Sequence, residues 1–94
     1  NYAASKAGVN GIAINLAYTL APWNITVNSV APGPLKGRMF ESMPKDRQES
    51  LAAAIPLKRL GELADAAAAV AYLASDDAAW TTGEVLDVNG GLQY

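Results

Sequence analysis

Residues 25–34, Ile25-Thr26-Val27-Asn28-Ser29-Val30-Ala31-Pro32-Gly33-Pro34, decide the fold. Ile25, Val27 and Val30 are β-branched. A run of this kind that stops hard at Pro-Gly-Pro reads as a strand over Ile25–Ala31 closed by a rigid loop. Working back from it, residues 1–21 read as a helix, because Val9, Ile12, Leu16 and Leu20 recur at three- and four-residue spacing. A second stripe, Ala3, Ala7, Gly11, Ile14 and Tyr18, is mostly small, with Gly8 beside it. Each glycine costs a helix up to ~1 kcal/mol relative to alanine, so the sequence predicts a close neighbour packed on this helix. Pro22 is expected to end it.

Working forward, residues 35–60 are irregular and polar, with one or two short helices expected between Glu41 and Ala54 and breaks at Pro44 and Pro56. Leu63 to Ala74 reads as an alanine-rich helix whose apolar side carries Val70 and Leu73, and Asp65 suits its positive start. Thr81-Thr82-Gly83 makes a turn, Glu84 to Val88 a short strand, and Asn89-Gly90-Gly91 closes it. The order helix, strand, helical insert, helix, strand argues for an α/β fold with a parallel sheet and helical crossovers. Two strands cannot build a parallel sheet covered on both faces. The expectation is therefore the C-terminal part of a doubly wound, Rossmann-like domain whose other strands precede residue 1.

The totals agree with a globular piece. The 94 residues are 51% hydrophobic and 17% charged, with a net charge of −2. That balance points to no polyanion-binding surface, so no nucleic-acid partner is expected. No apolar run approaches the ~20 residues of a membrane helix, so no membrane partner is expected either. With no cysteine and no histidine in the chain, disulfides, Cys/His zinc sites and His-based triads are excluded, and no metal is assigned. Asn24-Ile25-Thr26 fits the N-glycosylation acceptor pattern, which is short enough to arise by chance.

Tyr2 and Lys6 stand i, i+4, one turn apart on one helix face. A tyrosine hydroxyl ordinarily titrates near about 10 and a lysine near about 10.4. A neighbouring ammonium favours phenolate and brings the tyrosine toward working pH. Such a tyrosine can give a proton to a carbonyl oxygen or take one from an alcohol. The matching hydride must come from a cofactor, since no side chain supplies one. Taken alone, the pair reads more readily as a solvated lysine beside a half-buried tyrosine, and Pro32-Gly33 alone more readily as a strand-ending turn.

The surrounding residues choose between these readings. Asn1-Tyr2-Ala3-Ala4-Ser5-Lys6-Ala7-Gly8-Val9 resembles the active-site segment of classical short-chain dehydrogenases/reductases. Val27-Asn28-Ser29-Val30-Ala31-Pro32-Gly33-Pro34-Leu35 resembles the strand and Pro-Gly loop that follow it, and Ile55-Pro56-Leu57-Lys58-Arg59-Leu60-Gly61 the segment after the substrate loop. Leu73-Ala74-Ser75-Asp76, Thr82-Gly83-Glu84-Val85-Leu86 and Asp87-Val88-Asn89-Gly90-Gly91 resemble the family's final helix and strand. The matches come in order and cover essentially the whole chain. The chain looks nearest to 3-oxoacyl-reductase-like and sugar- or polyol-dehydrogenase-like members.

The resemblance implies an NAD(P)-dependent oxidoreductase acting on a small carbonyl or alcohol, with NAD or NADP as cofactor. Tyr2 would be the catalytic acid/base, and Lys6 would hold the nicotinamide ribose and lower the tyrosine pKa. Both would touch the cofactor, with Pro32, Gly33 and Leu35 forming the loop against the nicotinamide, Leu35 through its backbone. The implied layout is a catalytic helix at 1–21, strand and loop at 25–35, a substrate lid at 36–60 and the final helix and strand at 62–91. A homo-oligomer, dimer or tetramer, and a cytoplasmic location are implied as well. The family usually carries threonine where this chain has Gly37, so no role is given to Gly37. Asn28 reads as a structural strand residue, and Ser29 is not the family's catalytic serine.

No glycine-rich phosphate loop precedes a helix in these residues, as dinucleotide binding requires. The cofactor-binding half is therefore expected upstream of residue 1, and the 94 residues alone are expected to be inactive. The alternative reading is an inactive piece serving only as an oligomerisation or interaction module through the helices near 2–20 and 63–75 and the strand at 84–88.

Overall fold

The computed structural model describes residues 2–92, with Tyr2 placed by its backbone alone. The chain forms α1 (Tyr2–Leu20), a 3-10 turn (Ala21–Trp23), β1 (Ser29–Pro32), α2 (Arg38–Glu41), α3 (Lys45–Ala54), α4 (Leu63–Leu73), a second 3-10 turn (Asp76–Ala78) and β2 (Val85–Val88). β1 and β2 pair in parallel, Ser29 opposite Val85 through Pro32 opposite Val88. The α/β class, the parallel pairing and the helical crossover agree with the expectation for part of a doubly wound domain.

β1 begins four residues later than the β-branched pattern predicts. The stretch before it is held by side chains instead of a regular ladder. The Val27 N–H donates to Thr82 Oγ1 at 3.0 Å, Asn28 Nδ2 to the Thr81 carbonyl at 3.2 Å, and the Glu84 N–H to Asn28 Oδ1 at 3.0 Å. Asn28 thus ties the start of one strand to the turn before the other, the structural role its sequence suggested. β1 also accommodates a proline. The Ser29 and Gly33 amides both donate across to β2, to the carbonyls of Glu84 and Val88 at 2.9 Å. The two-residue period turns Pro32 nitrogen to the opposite edge, where no ladder donor is needed.

The two faces of the sheet take different helices. On one, Ser29 Oγ donates to Asn10 Oδ1 of α1 at 3.2 Å. On the other, Asn28 and Val30 line a shallow cleft with Val70, Leu73 and Ala74 from α4 and its end. The inward stripe of α1 is neither of the two foreseen. Ala13 and Ala17 are buried, with Lys6, Asn10 and Leu20 half-buried along the same line. Ala17 faces the turn before β2, 3.6 Å from where a Cβ on Gly83 would stand, whereas Val9, Ile12 and Leu16 are exposed. The close neighbour expected at Gly8 and Gly11 is not found, since nothing among the described residues comes within 4 Å of a Cβ built on either. α1 does end ahead of Pro22, at Leu20, and Pro22 itself sits in the 3-10 turn, which ends at Asn24 in the left-handed conformation (φ 59°).

The insert folds as two helices, α2 starting earlier than expected and α3 running between the predicted breaks. α4 matches its prediction almost residue for residue. Its first turn is fixed by Asp65, whose carboxylate accepts the Glu62 N–H at 2.8 Å and the Arg59 guanidinium at 3.3 Å. These donors, the backbone amide first, hold the Asp65 carboxyl below the ordinary aspartate value of 3.8.

Candidate active site

The site gathers at the carboxyl end of β1, where ligands of open α/β sheets bind. Lys6 and Asn10, one turn apart on α1, line a cleft of about 280 Å³ with Ser5, Val9 and the β1 residues Ser29 to Pro32. Lys6 and Pro32, assigned from separate motifs, therefore face one cavity. Tyr2 lies one turn before Lys6 on the stripe that turns toward β1. Its side chain is outside the described residues, so the Tyr2 assignments stand on helix position alone. Asn10 was missed by the sequence reading. Its signal was present, as it continues the four-residue step from Tyr2 through Lys6 onto a polar residue.

Gly33 is fixed by contact. A Cβ there would stand 2.7 Å from Asn89 Cβ and 2.9 Å from Asn89 Cα, so the loop after β1 and the turn after β2 meet where only glycine fits. Gly90, at φ 63°, closes the same seam from the other side, since a Cβ on it would reach Ile55 Cγ2 at 2.7 Å. Ile55, 1% exposed, plugs the junction.

Leu35 makes an isolated parallel bridge with Gly61. The Gly61 N–H donates to the Pro34 carbonyl at 3.0 Å and the Lys36 N–H to the Gly61 carbonyl at 2.9 Å. The bridge thus uses the peptide groups on either side of Leu35, and the pleat turns Leu35's own N–H and C=O the other way. A backbone donor and acceptor on one residue at a strand's end suit a planar carboxamide. The bridge also ties together the two ends of the 36–60 excursion, reinforced by the Lys36–Glu62 ion pair at 2.9 Å. Gly37 is extended (φ −173°) with open space where a Cβ would stand, so neither conformation nor packing demands glycine there.

A second cleft, of about 540 Å³, lies beyond the Pro-Gly loop between the 55–61 segment and the turn at 87–91. It contains Pro34 and Gly61 but neither Lys6 nor Pro32, so its larger size does not place the chemistry in it. Among the described residues no cluster of acidic, cysteine or histidine side chains is suited to a metal ion, and no helix is long and apolar enough to cross a membrane.

Comparison with known proteins agrees with these motifs. The family model for enoyl-(acyl carrier protein) reductase matches residues 1–93. Nodulation protein G of Rhizobium sp. (strain N33) is 49% identical over 92 residues, which is 98% of this chain and 38% of that protein. The 3-oxoacyl-(acyl-carrier-protein) reductase of Escherichia coli (strain K12) is 48% identical over the same spans, and that of Rickettsia conorii (strain ATCC VR-613 / Malish 7) 46%. The chain therefore spans 38% of the length of these curated relatives. With a family match along nearly all of its length and the Tyr2–Lys6 helix, Pro-Gly loop and closing strand in order, this chain belongs to the short-chain dehydrogenase/reductase family and is 3-oxoacyl-reductase-like.

Proposed function

We propose that these residues form the catalytic-helix and lid portion of an NAD(P)-dependent oxidoreductase that interconverts a carbonyl and an alcohol. The observation that carries this reading is the single cleft shared by Lys6 and Pro32, one from the first turns of α1 and the other from the end of β1. The names of the relatives make a 3-oxoacyl thioester the first substrate to try.

A bound nicotinamide, from NAD or NADP, would supply or take the hydride. In the reducing direction, as the carbonyl carbon gains the hydride, the Tyr2 phenol gives its proton to the carbonyl oxygen. The tyrosinate left behind is stabilised by the Lys6 ammonium one turn away and regains a proton from water. Lys6 also donates to the ribose hydroxyls. Pro32 and Gly33 shape the wall behind the ring, and Leu35 offers its outward N–H and C=O to the carboxamide. Support for such a cofactor comes from the cation Lys6 and the apolar Pro32 lining one cleft, with the backbone donor and acceptor of Leu35 three residues further along the chain. Residues 36–60, rooted at the Leu35–Gly61 bridge, act as the substrate lid, in keeping with their polar and mostly exposed character. The exposed apolar residues Ile12 and Leu16 of α1 suit a face covered in a homo-oligomer.

The test uses the protein expressed from its full reading frame, with acetoacetyl-coenzyme A and either NADH or NADPH. The reading predicts oxidation of one of the two cofactors. It also predicts that Lys6→Ala weakens cofactor binding about tenfold or more, the loss of a charge-assisted contact, while lowering turnover. Unchanged cofactor affinity in that variant would remove Lys6 from the ribose.

A further inference from the structure

The helical excursion carries a tie that the catalytic reading does not use. α2 is a single turn, too short to persist through its own hydrogen bonds. Neither α2 nor α3 has a buried residue, so apolar packing does not hold their corner. Side chains hold it instead. Ser42 Oγ donates to the Met39 carbonyl at 2.8 Å. The half-buried Gln48, on the first turns of α3, points its amide nitrogen back at the end of α2. There Nε2 lies 3.1 Å from the Phe40 carbonyl, 3.0 Å from the Met43 carbonyl and 3.4 Å from the Glu41 carbonyl. Its two hydrogens serve the two nearer oxygens. The orientation of the amide is forced, because a flipped group would set its oxygen against three carbonyl oxygens. One side chain thus adds a donor to the carbonyls that end α2 and start the corner, of which Phe40's also accepts the Met43 N–H at 3.0 Å, and joins that helix to α3.

We propose that Gln48 is a positioning residue that fixes α2 on α3, so that Met39 and Phe40 reach the substrate as part of a preformed unit and not as a loose strand. The inference rests on residues 36–60 being the substrate lid. The unit is bounded by extended Gly37 on one side and by buried Ile55 on the other, and the Leu35–Gly61 bridge holds its root. If the corner is ordered before substrate arrives, its ordering does not weaken binding. If the tie is cut, only the fraction of molecules with α2 formed binds, and the apparent affinity falls by that fraction.

Two substitutions separate the chemistry of Gln48 from its bulk. Gln48→Glu keeps the shape but replaces the donor with a carboxylate facing carbonyl oxygens. Gln48→Lys keeps a donor on a long side chain and leaves the helix propensity of α3 intact. In the protein expressed from its full reading frame, Gln48→Glu is expected to speed amide exchange at residues 41–43 about tenfold. It should raise KM for acetoacetyl-coenzyme A at least about threefold through the lost preorganised fraction, with kcat within about twofold. Gln48→Lys is expected to restore most of both. Unchanged exchange in Gln48→Glu overturns the tie. Faster exchange with unchanged KM overturns its role in substrate positioning. Absence of turnover in the unsubstituted protein with both cofactors instead overturns the oxidoreductase reading, and the exchange measurement still judges the tie.

Discussion

Gly33 shows how much one residue can fix. The sequence marks it only as part of a Pro-Gly-Pro stop, which any strand-ending turn could contain. The structure gives it a second reason, because the backbone of Asn89 lies where a side chain would begin. Asn89 is 56 positions away, and no local pattern reports that approach. Gly33→Ala should therefore destabilise the protein expressed from its full reading frame by about 1–3 kcal/mol, the usual cost of forcing a methyl into a packed site, read from the shift of the urea midpoint. A shift within error would mean that the seam opens freely. The same limit explains Asn10, which was legible as a polar residue in step with Tyr2 and Lys6 but whose partner Ser29 only the fold could reveal. Lys6 and Pro32 were the readable part of the site, since chemistry and motif both point to them before any geometry is known.

At the scale of the element, α4 was the best read and α1 the most instructive. α4 carries its boundaries in its sequence, with an acidic residue in the first turn and alanines through the middle. Asp65 also gives that element a pH dependence. Its carboxyl is held below the ordinary value in the folded chain, so the contribution is complete above that value and is lost as the pH falls through it toward the lower folded one. Asp65→Asn should thus lower stability at neutral pH, and the difference from the unsubstituted chain should shrink below about pH 4. A pH-independent difference would assign the effect to packing and not to the charge. In α1 the spacing of Val9, Ile12, Leu16 and Leu20 correctly announced a helix but not its inward face. The buried line is the alanine one, Ala13 and Ala17, and the larger apolar residues remain outside. β1 was placed correctly but started too early, because β-branched residues report strand preference and not the side-chain ties from Asn28 and Thr82 that replace the ladder.

Over the whole molecule the core is thin. Among the described residues Ile55 is the one large side chain that is fully buried, the other core members being Leu60 and four alanines. The radius of gyration is 15.6 Å, against the ~12 Å typical of a self-contained domain of this length. Val9, Ile12 and the fully exposed Trp80 are the residues such a domain would cover. Residues 1–94 produced alone should bind a hydrophobic dye and unfold without a sharp transition, and a cooperative, dye-free unfolding curve would contradict this. The doubly wound class was legible because alternating strands and helices leave few topologies open. What covers the exposed faces was not, because a sequence shows which residues are apolar but not which of them this chain buries.

In the proposed mechanism Tyr2 carries the proton. Its most direct test is Tyr2→Phe in the protein expressed from its full reading frame, measuring turnover of acetoacetyl-coenzyme A alongside cofactor affinity. The account predicts that kcat falls by about 10²–10⁴, the span of general acid–base catalysis, while cofactor binding and the folded spectrum stay close to those of the unsubstituted protein. Turnover within a few-fold of normal would contradict it and would move the acid/base to another residue.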